Sequence, residues 1–228
     1  MEGFCLSVKD LACQRGDRLL FRGLSFELSG GEALQIAGPN GTGKSSLLRI
    51  VAGLLRPFAG TVERGGGIGL VNERLALDEH LPLGKALDFW GRIDSPAAAT
   101  PNLDLDDLLD VPVQFLSTGQ RKRAALTRLV RQAAPIWLLD EPLNGLDIDA
   151  ARACEALVAE HCARGGIALI ASHQPFALPS MRTLHLADFA LPLPGGEGIE
   201  GWGSAAAPRV SAGVGAPPPN PPPQGGGL

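Results

Sequence analysis

The chain of 228 residues has no tyrosine, two methionines and only four cysteines, Cys5, Cys13, Cys154 and Cys162. No two of these form a CxxC pair, which excludes a zinc site of that kind and a disulfide framework and points to a reducing compartment. Cys154, His161 and Cys162 fall on one helix face. They are expected there as buried residues, the thiols acting as small hydrophobes, rather than as metal ligands. An excess of positive charge is also missing: the net charge is −4, which excludes broad electrostatic binding of nucleic acid. No uncharged apolar run reaches the roughly 18 residues that a membrane span needs. MEGFCLSVKD has no basic start followed by an apolar run, so no signal peptide is expected. No internal repeat is apparent.

Apolar residues make up 45% of the chain, enough for a sizeable core. From Pro192 onward the sequence turns to Pro, Gly and Ala and ends in APPPNPPPQGGGL. Such a segment buries too little apolar surface to offset its ordering entropy, so residues 192–228 are expected to be disordered. Residues 3–191 remain as the folded part. There LSFEL (24–28) alternates like a half-buried strand, and ALQIAG (33–38) is a buried strand ended by glycine. KSSLLRIVAGLL (44–55) has helical apolar spacing, and Pro57 follows its end. GIGLV (67–71), IWLLD (136–140) and IALIASH (167–173) read as further strands. An Ala-rich helix lies between Asp149 and Arg164. Strands alternating with helices predict an α/β fold with a mainly parallel sheet covered on both faces. An antiparallel β part is expected at the N-terminus. A small helical subdomain is expected as an insertion over about 73–133. Its first part, 73–115, is charged and proline-punctuated.

GPNGTGKS (38–45) fits G-x-x-x-x-G-K-[ST] between an apolar strand and a helix. Gly38, Pro39, Asn40, Gly41, Thr42 and Gly43 let the backbone wrap closely around phosphates, with N–H groups pointing inward. The following helix adds the positive end of its dipole. In this pattern Lys44 reaches the β- and γ-phosphates, and the Ser45 hydroxyl binds Mg²⁺.

IWLLDE ends four apolar residues with two carboxylates. In a parallel sheet the C-terminal strand ends face the ligand crevice. Asp140 can hold Mg²⁺ there, and Glu141 can act as general base for an attacking water. Adjacent buried carboxylates are costly unless a cation or a proton resolves the charge. His173 ends the next strand, within reach of a γ-phosphate. In LSTGQRKR, Ser117 and Gln120 form a capping box at a helix start. Arg121, Lys122 and Arg123 read there as a solvated basic face.

Taken in order, GPNGTGKS, LSTGQ, IWLLDE, NGLD and SH resemble the nucleotide-binding domain of ABC transporters, a P-loop NTPase fold, over residues 4–190. The resemblance implies ATP and Mg²⁺ as cofactors. It implies a dimer in which two copies sandwich two ATP molecules head to tail. It assigns the phosphate loop with Ser46 to nucleotide, Ser45 and Asp140 to Mg²⁺, and Glu141, His173 and Lys44 to catalysis. Ser117, Gly119 and Gln120 would face the ATP of the partner subunit, Asp147 would lie in the loop that crosses the dimer, and Arg123 matches an arginine that often follows the signature. Thr118 replaces a more common glycine, which is tolerable if its φ stays negative.

Two positions depart from the family pattern. CQRGD stands where many members place an adenine-stacking aromatic, so Arg15 is the candidate to stack on adenine. Asn72 or Glu73 stands where a metal-linking glutamine is usual. Three stretches, LACQRGDRLLFRGLSFELSGG with the phosphate loop after it, LSTGQRKRAALTRLVRQAAPIWLLDEPLNGLD, and the short helical insertion, resemble the ATP-binding subunits of the cytochrome c maturation haem exporters. That resemblance implies membrane partners of CcmB and CcmC type and a peripheral place on the cytoplasmic side of a bacterial inner membrane. It implies no haem site on this chain, which has neither a CxxCH nor a Cys–Pro pair. The alternatives are a lipid or drug exporter ATPase, or a soluble ATPase of the iron–sulfur assembly type.

Overall fold

The structure is a computed structural model that describes residues 3–73, 75–94, 103–178 and 181–190. The disorder expected over 192–228 lies outside the described residues, as does 95–102 of the expected helical insertion.

Two strands open the chain. β1 (Cys5–Arg15) and β2 (Arg18–Ser29) pair antiparallel, and β4 (Ala59–Arg64) pairs with the other edge of β1. β2 alternates buried Phe21, Leu24, Phe26 and Leu28 with exposed residues, as a strand with one wet face must. The second sheet runs β5 (Ile68–Val71), β6 (Ile136–Asp140), β7 (Ile167–Ser172), β3 (Ala33–Ala37) and β8 (Arg182–His185), and every pairing in it is parallel. Its central strands β6 and β7 are apolar up to a polar last residue, Asp140 and Ser172, because both faces are covered.

Alternation assigns those faces. Ile136 and Leu138 of β6, with Ile167, Leu169 and Ala171 of β7, pack with α1 (Lys44–Val51) and the antiparallel sheet. Trp137, Leu139, Ala168 and Ile170 point the other way, onto α3 (Thr118–Arg131) and α4 (Ile148–Ala163). Truncating one of the fully buried leucines here, such as Leu138, costs about 2–5 kcal/mol.

Three expectations are corrected. Helix α1 ends at Val51 rather than Leu55. Arg64 caps it from β4, with Nη2 donating to Ile50 O at 2.9 Å and Nε donating to Val51 O. A cation on the last carbonyls satisfies groups that the helix itself cannot. Between β5 and α3, the described residues hold less helix than expected: α2 (Leu83–Gly91) and two short 3-10 turns at Asp106–Leu108 and Val113–Phe115. The basic run of α3 is not a solvated face. Arg121 Nη2 donates to Gln114 O at 2.6 Å, Arg123 Nη1 donates to Leu103 O at 3.2 Å, and Lys122 is buried.

All these elements fall in the compact unit Met1–Pro192. Among the described residues, no helix is long and apolar enough to cross a membrane.

Candidate active site

The site lies at the C-terminal ends of β3, β6 and β7, where a parallel sheet opens its crevice. β3 delivers the chain into the phosphate loop, whose Gly38, Gly41 and Gly43 all have positive φ. At Gly43 the tolerance for a side chain is also spatial: an added Cβ would stand 3.2–3.3 Å from Leu20 and Phe21. Thr42 Oγ1 donates to Pro39 O at 2.9 Å and closes the loop on itself. Lys44 is buried beneath it, and Nζ donates to Gly38 O at 2.7 Å and Pro39 O at 3.2 Å.

β6 delivers Asp140 and Glu141. Glu141 takes φ 46°, a left-handed conformation that is rare away from glycine and costs on the order of 1–3 kcal/mol. Its neighbours hold it there. Glu141 N donates to Ala171 O at 2.8 Å, and Glu141 O accepts from Lys122 Nζ at 3.0 Å and from Asn144 N at 3.3 Å. The side chain then bridges two other motifs. Oε1 lies 3.5 Å from Lys44 Nζ, and Oε2 accepts from His173 Nδ1 at 2.9 Å. Five residues, from the phosphate loop, α3, the turn after β6 and the end of β7, thus meet on Glu141.

Asp140 is buried, and its Oδ1 has no hydrogen-bond partner. Burial raises its carboxyl above the ordinary range; the Ser45 hydroxyl beside it and Lys122 oppose that shift, while Glu141 and Glu73 add to it. An orphaned carboxylate oxygen with a hydroxyl next to it, at the mouth of a phosphate loop, is the oxygen donor set that suits Mg²⁺. A cavity of about 350 Å³ joins these groups, and its walls include Asn40, Gly43, Lys44, Ser45, Asp140 and Glu141.

The other expected site residues divide. Gly41, Ser46 and Glu73 also line this cavity, whereas Asn72 lines only the neighbouring space toward α3. Arg15 is exposed at the tip of the β1–β2 hairpin and is not among the lining residues. Ser117 caps α3: its Oγ accepts from Gln120 N at 3.2 Å, and its N–H donates to Gln120 Oε1 at 2.8 Å. Both halves of the capping box are present, and Thr118 is absent from the residues with positive φ. Gly119 lies against Gly145, where a Cβ would come within 2.7 Å of Gly145 O. Asp147 caps α4 through Oδ1, which accepts from Ala150 N at 2.8 Å.

Two residues escaped the sequence reading. Lys122 had a legible signal, since it stands four and seven residues before the buried Leu126 and Leu129 and so shares their helix face. Burial pulls its ammonium down, and Asp140, Cys154, Glu73 and Glu141 oppose that shift. Gln35, buried on β3, donates from Nε2 to Gln174 O at 2.7 Å, and Gln174 N donates to Ser172 Oγ at 3.0 Å. These bonds fix the turn that carries His173. A single glutamine in an apolar strand gave no sign of that partner.

Comparison with known proteins agrees with this geometry. Residues 21–144 match the ABC transporter family. A cytochrome c biogenesis ATP-binding export protein, CcmA, from Novosphingobium aromaticivorans is 60% identical over 184 residues, spanning 81% of this chain and 96% of that protein. Its counterpart from Sphingopyxis alaskensis is 52% identical over 184 residues, spanning 78% and 95%. Among solved structures, the dimeric, post-hydrolysis ADP- and Pi-bound form of an ATP-binding cassette superposes with a TM-score of 0.64 at 20% identity, covering 74% of this chain and 88% of that one. The chain belongs to the ABC transporter family, among the cytochrome c biogenesis ATP-binding export proteins.

Proposed function

We propose that this chain is the ATP-hydrolysing subunit of an ABC export complex for cytochrome c biogenesis, powering haem export or the release of a haem-loaded chaperone. The observation that carries the reading is the 60% identity to a CcmA protein over 96% of that protein's length. The site supplies the matching chemistry. Glu141 accepts a proton from the water that attacks the γ-phosphorus, and the bond to the β-phosphate oxygen breaks. His173 donates to Glu141 Oε2 and fixes the carboxylate. Lys44 leaves the loop carbonyls to meet the β- and γ-phosphates. Ser45 and Asp140 would hold Mg²⁺, with Glu73 beside them; the ion, when bound, offsets phosphate charge.

Ser117, Gly119 and Gln120 face the ATP of a second copy, in the head-to-tail dimer the family uses. There the free N–H groups and dipole of α3 form an anion site. Asp147 lies in the loop that crosses between the copies. The insertion over 73–133 couples closure of this dimer to membrane subunits of CcmB and CcmC type on the cytoplasmic side of the inner membrane. Arg15 is the candidate for stacking on adenine.

Cytochrome c content tests the proposal. A deletion strain should lack c-type cytochromes and regain them with the wild-type gene but not with Lys44→Ala. Normal cytochromes c in the deletion strain would refute it. The chain should also leave the membrane fraction when the CcmB-type subunit is deleted. Co-purification with iron–sulfur assembly proteins instead would favour the soluble alternative.

A further inference from the structure

We infer that Lys122 is a positioning residue for Glu141, tying the main chain of the proposed base to the helix that carries the signature motif. The inference rests on the reading of Glu141 as base.

A lysine is rarely buried without a reason, because its ammonium must be bonded. Lys122 is 6% exposed, and its Nζ donates to Glu141 O at 3.0 Å. The same carbonyl accepts from Asn144 N and so closes the turn after β6. Glu141 enters that turn at φ 46°, and a strained conformation persists only when its surroundings hold it. The Lys122 bond is the one of these restraints that a side chain supplies.

A second contact joins the same two segments. A Cβ at Gly119 would stand 2.7 Å from Gly145 O, and a Cβ at Gly145 would stand 2.9 Å from Thr118 Cγ2. The first turn of α3 and the turn after Glu141 are therefore fastened at two points, Gly119 against Gly145 and Lys122 to Glu141. From Ser117 to Lys122 the helix advances by five residue steps, about 7.5 Å of rise. In the head-to-tail dimer the N-terminal end of this short rod meets the partner's ATP. Its Lys122 end holds the base that acts on the subunit's own ATP. A shift of α3 at one site thereby moves the glutamate of the other.

The test uses the full chain, with Lys122→Met, which keeps the length and apolar stem, and Lys122→Arg, which restores a donor. Lys122→Met should lower kcat about 10- to 100-fold, the scale of a misplaced reacting group, with KM for ATP changed less than about twofold. Lys122→Arg should recover part of the loss. In the nucleotide-free protein, the Asn144 amide should exchange at least about tenfold faster in Lys122→Met, while amides in the middle of α4 keep their rates. Wild-type kcat and unchanged Asn144 exchange in Lys122→Met would overturn the inference. So would a loss that Arg does not relieve and that appears equally in α4. If Lys122→Met does not fold, Lys122→Leu, which also lacks a donor, carries the same comparison. Glu141→Gln run in parallel separates the two claims: rapid turnover there removes Glu141 as base, whereas an inactive Glu141→Gln beside a fully active Lys122→Met removes only the role of Lys122.

Discussion

His173 holds Glu141 Oε2 twice, by its ring Nδ1 at 2.9 Å and by its main-chain N–H at 3.4 Å. β6 and β7 are adjacent and in register, Asp140 opposite Ala171, so the next residues of each strand leave the sheet side by side. The pairing is thus dictated by strand order. His173→Ala should lower ATP turnover about 10²-fold while leaving nucleotide affinity within a few-fold. Steady-state ATPase and equilibrium nucleotide binding check the split, and wild-type turnover would contradict it.

The close approach of Gly119 to Gly145 leaves no room for a side chain. Gly119→Ala must push the signature helix away from the loop before α4, at a cost of about 1–3 kcal/mol. A Cβ at Gly119 meets Gly145 and no atom of the phosphate loop, so ATP binding by the isolated chain should survive while ATP-driven dimerisation is lost. Thermal melts, nucleotide titration and light scattering separate the three quantities.

Asp140 is a buried carboxylate with an orphaned oxygen, and burial raises its pKa. A carboxyl whose folded pKa lies above its unfolded value stabilises the fold when protonated. That contribution is lost as pH rises through the folded pKa. Asp140→Asn should therefore stabilise the nucleotide-free protein at neutral pH, on the order of 1 kcal/mol, or about 2–4 °C in Tm. The same change should abolish the Mg²⁺ dependence of nucleotide affinity. A fall in Tm would contradict the account of the buried charge.

His161 stacks on Trp137 with ring centroids 3.8 Å apart, and its Nε2 lies 3.2 Å from Pro135 O and 3.3 Å from Ile167 O. Burial lowers its pKa, so the neutral ring is the folded form. The unfolded chain then binds the extra proton. Stability from this group is full above about pH 6.5, the ordinary histidine value, and is lost as pH falls through the lowered folded pKa. Denaturant midpoints of wild type and His161→Phe should converge as pH drops from 7 to 5. A wild-type midpoint that drops no more than that of His161→Phe would contradict this.

Much of the site was legible because its motifs are backbone devices. A glycine-rich loop between a strand and a helix, two carboxylates at a strand end, and a serine with glutamine three residues later each specify local geometry. The strands β6 and β7 were readable because apolar runs of four and five residues, each ended by a polar residue, are too short for a buried helix. The ends were harder. α1 stops at Val51 because Gly53, at φ 77°, turns the chain back: Gly53 N donates to Ile50 O at 2.9 Å and Leu54 N to Arg49 O at 2.8 Å. Arg64, from a strand that follows, also holds the last carbonyls, a tertiary contact that periodicity cannot show. β8 was unread because Arg182–His185 is largely exposed and has no apolar run. Lys122 misled for the opposite reason. A cation in a basic run reads as solvated unless the helix face beneath it is traced to Leu126 and Leu129.

Turnover by Glu141→Gln tests the role of Glu141 as base most directly. The substitution keeps the shape of the side chain and removes its basicity. In this variant ATP binding should persist, hydrolysis should fall at least about 10²-fold, and an ATP-bound dimer should accumulate. Turnover near the wild-type rate, with no trapped dimer, would contradict that role.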